Sequence, residues 1–331
     1  MQPSRIHMEL NERAARIAGE AARDPGRFRV QVSEAPGGGQ VIDAGVNAPG
    51  GIEAGLLLAR VCLAGLARVS LETMVQDSAG AQEITGKLTS CPRVQVHTDH
   101  PVAACMASQY AGWQLSVGKL FAMGSGPMRA AYGKEELFSH VGFTEQPACA
   151  VGVLETSAIP GTEVFQHLSE KLGIHPRGIT LLVARTRSLA GSLQVVARSV
   201  ETALHKLHLL QFDLSRIESG YGAAPLPPPA KNDLAALGRT NDAVLYGARV
   251  TLWVRGDDES ITAIGDRVPS SSSSDFGAPF GEVFERYGRD FYKVDPALFS
   301  PAQVTFQNLD TGHTHVFGKP APEVLERSFF G

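Results

Sequence analysis

Segments with strand-like and helix-like spacing alternate along the whole chain, and this alternation constrains the fold more than any other feature. Short apolar and β-branched runs predict strands at residues 27–31, 40–45, 93–97, 148–154, 179–184, 249–254, 303–306 and 315–317. Apolar residues at helical spacing predict helices near residues 6–22, 51–66, 101–109, 134–140, 161–172, 188–209, 279–287 and 321–328. Because the two kinds of element interleave from end to end, we expect a mixed α/β (α+β) fold.

The length of the chain indicates two lobes, because 331 residues exceed what one hydrophobic core usually organises. We place the boundary near residue 155, which gives an N-terminal α/β lobe at 1–155 and a C-terminal α/β lobe at 156–331. Strands could be exchanged between the lobes. The prolines at 223–229 predict a stiff extended connector. The serine run at 270–274 predicts a surface loop or a helix cap.

Charge and hydropathy argue against several kinds of partner. A net charge of −4 gives no reason to expect nucleic acid or an acidic membrane as a partner. The longest apolar run, 54–67, contains Arg60 and is too short to cross a bilayer. The N-terminal segment resembles an amphipathic helix with several acids and lacks the apolar centre of a secretion signal. We therefore expect a cytoplasmic protein without membrane contact.

The predicted helix at 188–209 carries two stripes on opposite sides. One stripe is apolar and consists of Leu189, Leu193, Val196, Val200, Leu204 and Leu207; the other is polar and consists of Gln194, Arg198, Glu201 and His205. If the polar stripe faces solvent, Arg198 and Glu201 form an ordinary ion pair worth less than about 1 kcal/mol. If it faces a cleft, an arginine lies beside a carboxylate, and such a pair is suited to catalysis. Spacing alone favours the solvent-facing interpretation, since exposed pairs of this kind are common.

Three polar segments are candidates for ligand binding. The turn formed by Gly124, Ser125 and Gly126 could present backbone N–H groups to a phosphate, a carboxylate or a heterocycle edge, although a simple tight turn is as good an interpretation. Asn241 and Asp242 suit an amide or aminopyrimidine edge, or else cap a turn. Tyr110, near Trp113, could form a stacking wall or belong to the core.

Metal binding and covalent catalysis lack a sequence signature. The cysteines, at positions 62, 91, 105 and 149, are widely spaced, and the histidines of 97–100 have no second ligand cluster. We therefore expect no metal and no disulfide framework. No nucleophile motif is present either, which leaves a carboxylate, an arginine and glycine-rich loops as the chemical inventory.

Taken together, several segments resemble the methenyltetrahydromethanopterin cyclohydrolases. The matching pieces are NAPGGIEAGLLLARVCLAGLARVSL, SQYAGWQLSVGKLFAMGSGPMRA, RTRSLAGSLQVVARSVETALHKL, APLPPPAKNDLAALGRTNDAVLYG and DFYKVDPALFSPAQVTFQNLDTG. They run in order over nearly the whole chain, and GSGPMRA, ARSVETALHKL and GRTNDAVLYG are highly specific in combination. The main departure is the stretch 97–100, where the family is expected to have other polar residues.

This resemblance implies a cytoplasmic enzyme of tetrahydromethanopterin-linked one-carbon metabolism, as in methanogens and methylotrophic bacteria. It would reversibly hydrolyse the methenyl cation of a tetrahydromethanopterin derivative to the 5-formyl compound, with no permanently bound cofactor. The family implies a homotrimer of two-lobed subunits with a wide cleft between the lobes. The arginine and glutamate of that cleft correspond by motif to Arg198 and Glu201, so the resemblance favours the catalytic interpretation of the polar stripe.

A mechanism follows as a hypothesis. Glu201 would orient a water molecule and accept its proton as the water adds to the cationic carbon. Arg198 would hold Glu201 ionised and lower its pKa by about 1–3 units, or would polarise the forming carbinol oxygen. Pterin recognition would fall to Asn241 and Asp242, with Gly124–Gly126 near the ring or an acidic tail. Two rival functions are a non-catalytic pterin carrier and a cyclic amidine hydrolase that acts on purine or folate rings.

Overall fold

The computed structural model describes residues 8–73 and 86–331. The α-helices have the bounds α1 Leu10–Arg23, α2 Pro25–Phe28, α3 Ile52–Cys62, α4 Met128–Tyr132, α5 Leu137–Val141, α6 Thr162–Leu172, α7 Leu189–Val196, α8 Ser199–Leu209, α9 Asp233–Leu245, α10 Glu259–Ile264, α11 Phe280–Arg286 and α12 Pro322–Phe330. The strands have the bounds β1 Gln31–Glu34, β2 Gln40–Asp43, β3 Arg68–Glu72, β4 Arg93–Thr98, β5 Trp113–Val117, β6 Leu120–Ser125, β7 Ala150–Glu155, β8 Ile179–Ala184, β9 Ile217–Pro225, β10 Arg249–Val254, β11 Gln303–Asn308 and β12 Thr314–Gly318. Residues Val102–Gln109 form a π-helix, and short 3₁₀ turns connect several elements.

The strands form two six-stranded mixed sheets, which confirms the predicted fold class. The first sheet has the order β1-β2-β8-β7-β6-β5, with β8 parallel to both β2 and β7. The second sheet has the order β12-β11-β10-β9-β4-β3, in which β10 and β11 are parallel. Each sheet takes strands from both halves of the chain: β3 and β4 belong to the second sheet, and β8, which follows the proposed boundary at residue 155, belongs to the first.

Helices cover both faces of the first sheet. The central strands β7 and β8 are almost continuously apolar, as expected for strands buried on both sides. Successive side chains of a strand point to opposite faces, so Leu182 packs in the cluster that contains α1 and α3, whereas Leu181 packs against α6. The α1 and α3 side of this sheet is therefore separated from the α6 side.

Glycines in β9 let α8 lie directly on the second sheet. A Cβ atom at Gly220 would lie 2.8 Å from Cγ1 of Val200, and one at Gly222 would collide with the hydroxyl of Ser199. The first turn of α8 can reach its position only because β9 presents no side chain at these two points. This packing places Glu201 in the interior.

The structure corrects several local predictions. Residues 27 and 28, predicted as the start of a strand, belong to α2, because Pro25 begins a helical turn and Asp24 accepts a hydrogen bond from the backbone N–H of Arg27. The serine run is partly buried: the hydroxyl of Ser270 donates to the carbonyl of Leu245. The proline-rich segment is extended as predicted, but its first residues complete β9.

Two further predictions concern the first helix and the crossing of a membrane. Residues 6 and 7 of the first predicted helix lie outside them, and α1 begins at Leu10. Over 8–73 and 86–331, no helix is long and apolar enough to cross a membrane.

Candidate active site

The predicted helix at 188–209 is two helices with a break at Ala197 and Arg198. The backbone N–H of Arg198 donates to the carbonyl of Val195 at 3.1 Å, so the chain tightens after α7, and Arg198 becomes the N-cap residue of α8. The break frees the carbonyl of Ala197, which accepts a hydrogen bond of 3.0 Å from the side-chain amide of Gln109. Gln109, a residue of the π-helix, therefore stabilises the break between α7 and α8.

Both stripes of this segment are buried, which excludes the solvent-facing interpretation. Glu201 is only 6% exposed and Gln194 only 2%, while Arg198 and His205 are half-buried. In the apolar stripe, Leu189 alone is exposed. The polar stripe is thus an internal surface.

The guanidinium of Arg198 joins three parts of the fold. It donates to the carbonyl of Gln109 at 2.6 Å, to the hydroxyl of Ser125 at 3.1 Å and to Oε1 of Gln194 at 3.1 Å. These acceptors belong to the π-helix, to the end of β6 and to α7. The planar fork is therefore fixed by neutral oxygens. Between the described residues, no ion pair within 4.0 Å joins Arg198 to Glu201.

Glu201 is a buried carboxylate, and no donor among residues 8–73 and 86–331 lies within hydrogen-bonding distance of it. Burial raises the pKa of Glu201 to about 7, while the positive charges of Arg198 and Arg129 act in the lowering direction. Arg198 therefore lowers this pKa as predicted, but the net shift is upward because the loss of hydration outweighs the two cations. A carboxylate with a pKa near neutrality can both accept and donate a proton.

A stacked aromatic pair stands beside this carboxylate. The ring of Tyr110 lies 4.8 Å from that of His205, at an angle of 20°. Burial lowers the pKa of His205 to about 4, and burial together with the charge of Glu201 raises the pKa of Tyr110 to about 12. Both rings are therefore neutral near pH 7. Trp113 instead stacks on Tyr132.

Arg129 supports this aromatic pair from inside the protein. Its guanidinium lies 4.9 Å from the centre of the Tyr110 ring. It is fully buried, pairs with Glu135 at 2.7 Å and donates to the carbonyl of Met106 at 2.9 Å. Arg129 is already paired with Glu135, so it affects the pKa of Glu201 through its charge and not through a hydrogen bond.

The structure brings the Gly124–Gly126 turn to the arginine. The hydroxyl of Ser125 accepts from Arg198 and lies 3.1 Å from Sγ of Cys62. Gly126 adopts a φ of +91°, and its backbone N–H donates to the carbonyl of Ser108 at 2.9 Å. Ser125 thus lies beside Arg198 of the predicted catalytic pair, whereas the N–H of Gly126 is already used within the protein.

Asn241 and Asp242 lie in a helix and do not cap a turn. They lie in the interior of α9, and Asn241 donates to the carbonyl of Leu237 one turn earlier. Asp242 is fully buried and accepts hydrogen bonds from the backbone N–H of Phe280 at 2.7 Å and from the hydroxyl of Ser328 at 2.6 Å. These contacts join α9 to α11 and α12. The role of both residues in pterin recognition stays a prediction.

Gln109 is a site residue that the sequence analysis missed. Its amide binds the helix break, its backbone carbonyl binds Arg198, and its Oε1 is buried without a hydrogen-bond partner in the described structure. π-Helices are rare and concentrate at functional sites. The sequence predicts a helix at 101–109 but carries no signal for the wider π turn.

The described part of the chain contains no set of residues suited to bind a metal ion. No group of three or more His, Cys, Asp or Glu residues there could hold a metal ion.

The comparisons with known proteins agree over almost the full length. Residues 9–329 match the family model described as Cyclohydrolase (MCH). A methenyltetrahydromethanopterin cyclohydrolase of Rhodopirellula baltica is 48% identical over 297 residues, which cover 88% of this chain and 86% of the relative. Proteins of the same name from Methylobacillus flagellatus and Methanosarcina barkeri are 43% and 40% identical, over 91% and 97% of this chain and 89% and 98% of the relatives.

Proposed function

The chain belongs to the methenyltetrahydromethanopterin cyclohydrolase family and is a hydrolase that acts on a cyclic C–N bond of a pterin, and we propose that Glu201 is the group that moves the proton. The reaction is the reversible hydrolysis of 5,10-methenyl-tetrahydromethanopterin to the 5-formyl compound. The observation that carries the proposal is a buried carboxylate with a pKa of about 7 and no hydrogen-bond partner in the described structure.

The charge of the substrate changes the pKa of Glu201 during the reaction. The methenyl carbon lies between two nitrogens and carries a delocalised positive charge. A cation placed beside Glu201 favours the carboxylate form, so binding ionises the base. As water adds, the positive charge disappears and the pKa of Glu201 returns towards about 7. Glu201 becomes more basic as the water becomes more acidic, and this favours proton transfer in the transition state.

Proton balance assigns two tasks to Glu201. Addition of water forms a C–O bond and leaves one water proton on Glu201. Breaking the bond to the aryl nitrogen then requires a proton on that nitrogen, which the protonated Glu201 can deliver. The carbinol loses its hydroxyl proton as the formyl C=O forms, so one proton is released in total. The reverse direction uses the same steps in the opposite order.

Arg198 has a role distinct from ionising Glu201. Its guanidinium is held by Gln109, Ser125 and Gln194, all through neutral oxygens. We place it beside the forming carbinol oxygen, where a fixed positive group stabilises developing negative charge. Ser125 and Gln194 are positioning residues in this proposal. Tyr110, stacked on His205, offers a neutral aromatic edge to the substrate.

Turnover of Glu201→Gln tests the proposal directly. Loss of a general base or acid costs about 10²–10⁴-fold in rate, so hydrolysis of the methenyl cation should slow by that factor while binding of the cation persists. The absorbance of the cation reports both quantities in one titration. Glu34→Gln, at an exposed site on β1, is the matched control.

The outcomes of this assay distinguish the proposed function from its two rivals. A variant that keeps most of the wild-type rate overturns the role of Glu201. Wild-type protein that binds the cation without turnover would be a carrier. Preference for folate or purine rings in a side-by-side assay would favour the amidine hydrolase.

Subunit assembly and location belong to the same proposal. We propose a homotrimer in the cytoplasm, on the resemblance described above. The substrate cleft would lie between two lobes that correspond mainly to 1–155 and 156–331 and that exchange the strands β3, β4 and β8. Light scattering on the purified protein measures the trimer, and a monomer of 35.2 kDa would contradict it.

A further inference from the structure

Four arginines line a pocket on the side of α3 that faces away from the candidate active site. Arg13 and Arg16 come from α1, Arg60 from the last turn of α3 and Arg68 from the start of β3. The pocket has a volume of about 500 Å³. Arg60 and Cys62 are two residues apart on α3 and point to nearly opposite sides of that helix. Because Cys62 contacts Ser125 of the candidate site, the arginine pocket is a separate place.

Most of this positive charge has no carboxylate partner among residues 8–73 and 86–331. Arg60 donates two hydrogen bonds, of 2.9 and 3.1 Å, to the carboxylate of Glu20. In contrast, no carboxylate of the described residues lies within 4.0 Å of the guanidinium nitrogens of Arg13, Arg16 or Arg68. The chain as a whole has a net charge of −4, so this concentration of cations opposes the general charge of the molecule. Unpaired like charges repel one another, and such a cluster is stabilised by an anion.

The pocket also has a defined shape. Ile17 is buried beneath it, and Gly65, at a φ of +65°, approaches so closely that a Cβ atom would lie 2.8 Å from Cδ1 of Ile17. Arg13 and Arg16 are three residues apart and therefore neighbours on one face of α1. The volume falls within the range of about 300–1,000 Å³ that is typical of small-molecule sites. The arginines thus lie around an open depression that Ile17, Ala67 and Val69 also line.

We propose that this pocket binds a small anion that carries two or more negatively charged phosphate groups. Guanidinium groups bind phosphate oxygens through paired hydrogen bonds, and several arginines from different elements match several oxygens. A monovalent anion would leave most of the charge unpaired. The proposal does not depend on the activity of Glu201.

Calorimetric titration of the full-length protein with inorganic pyrophosphate at fixed ionic strength tests the proposal. Arg16→Gln combined with Arg68→Gln removes two exposed cations and should weaken binding by at least about tenfold, since each charge-assisted hydrogen bond contributes strongly. Lys171→Gln on α6 is the control, because it removes an exposed positive charge on the opposite face of the first sheet. It should leave the affinity unchanged.

Four results would overturn the proposal, and the last of them concerns its phosphate assignment. The first is the absence of saturable binding to the wild-type protein, and the second is equal affinity in the double variant. The third is equal weakening by Lys171→Gln, which would show a general charge effect. Citrate in place of pyrophosphate distinguishes phosphate recognition from attraction of any polyanion: equal affinity for citrate would overturn the phosphate assignment. Unchanged cyclohydrolase activity of the double variant would show that the loss of binding is local.

Discussion

Removal of the Glu201 carboxylate should stabilise the folded protein while it slows catalysis. The pKa of Glu201 is raised from its ordinary 4.5 to about 7 because burial disfavours the charged form. Each unit corresponds to about 1.4 kcal/mol, so the ionised carboxylate costs the native state about 3 kcal/mol relative to the unfolded chain. Glu201→Gln removes this cost, since the amide is neutral at every pH.

The contribution of Glu201 to the free energy of unfolding changes with pH in a defined range and direction. Between pH 4.5 and about 7, the native protein keeps the proton on Glu201, whereas the unfolded chain has lost it. Stability of the wild-type protein therefore falls with rising pH across this window, through this group alone. The Gln variant lacks that decrease, so the gap between the two proteins should grow from pH 4.5 upwards and level off above about pH 7.

Denaturant unfolding of both proteins at a series of pH values measures this gap. All other titrating groups are shared, so their contributions cancel in the difference, provided that the denaturant slopes agree. Glu34→Gln, at an exposed position, should run parallel to the wild-type curve. A gap of the same size at every pH, or a Gln variant that loses stability relative to wild type as the pH rises, would refute the argument.

Four further predictions concern the same site and its surroundings. The kcat/KM for hydrolysis should rise with pH up to about 7 and then level off, as Glu201 must be ionised; a profile without an inflection there contradicts the assignment. Gln109→Leu should lower kcat by about 10²-fold with little change in circular dichroism, since the helix break and Arg198 lose their support; an unchanged kcat would show that Gln109 is not needed. Asp242→Ala should lower the free energy of unfolding by about 1–3 kcal/mol, because Phe280 N–H and the Ser328 hydroxyl lose their acceptor. An Asn241→Ala variant with an unchanged KM would remove that residue from substrate recognition.

Elements with a strong local pattern could be predicted from the sequence. The strands at 179–184 and 249–254 coincide with β8 and β10, because apolar and β-branched runs of this length have few alternatives. β9 was missed, since its glycines are typical of a loop. Those glycines are needed so that α8 can approach, a requirement that lies on another element.

The helix α9 was missed for a related reason. Its sequence contains Gly238, Thr240, Asn241 and Asp242, which favour turns when only neighbours along the chain are considered. The helix is held by the Asn232 N-cap and by the contacts of Asp242 with α11 and α12. Tertiary contacts thus override local propensity here.

The sequence identifies Glu201 as a candidate residue, but the pKa of its carboxyl group depends on packing with other elements. The spacing of Arg198 and Glu201 suggests an ion pair, and an ion pair would lower the pKa of Glu201. The structure instead directs Arg198 to neutral oxygens and leaves burial as the dominant influence. If the packing of α8 on β9 were loosened so that water reached Glu201, the charges of Arg198 and Arg129 would remain while the effect of burial faded. The pKa would then fall below 7, and Glu201 would become a weaker base. The burial that makes the ionised carboxylate costly is therefore the same property that the proposed proton transfer requires.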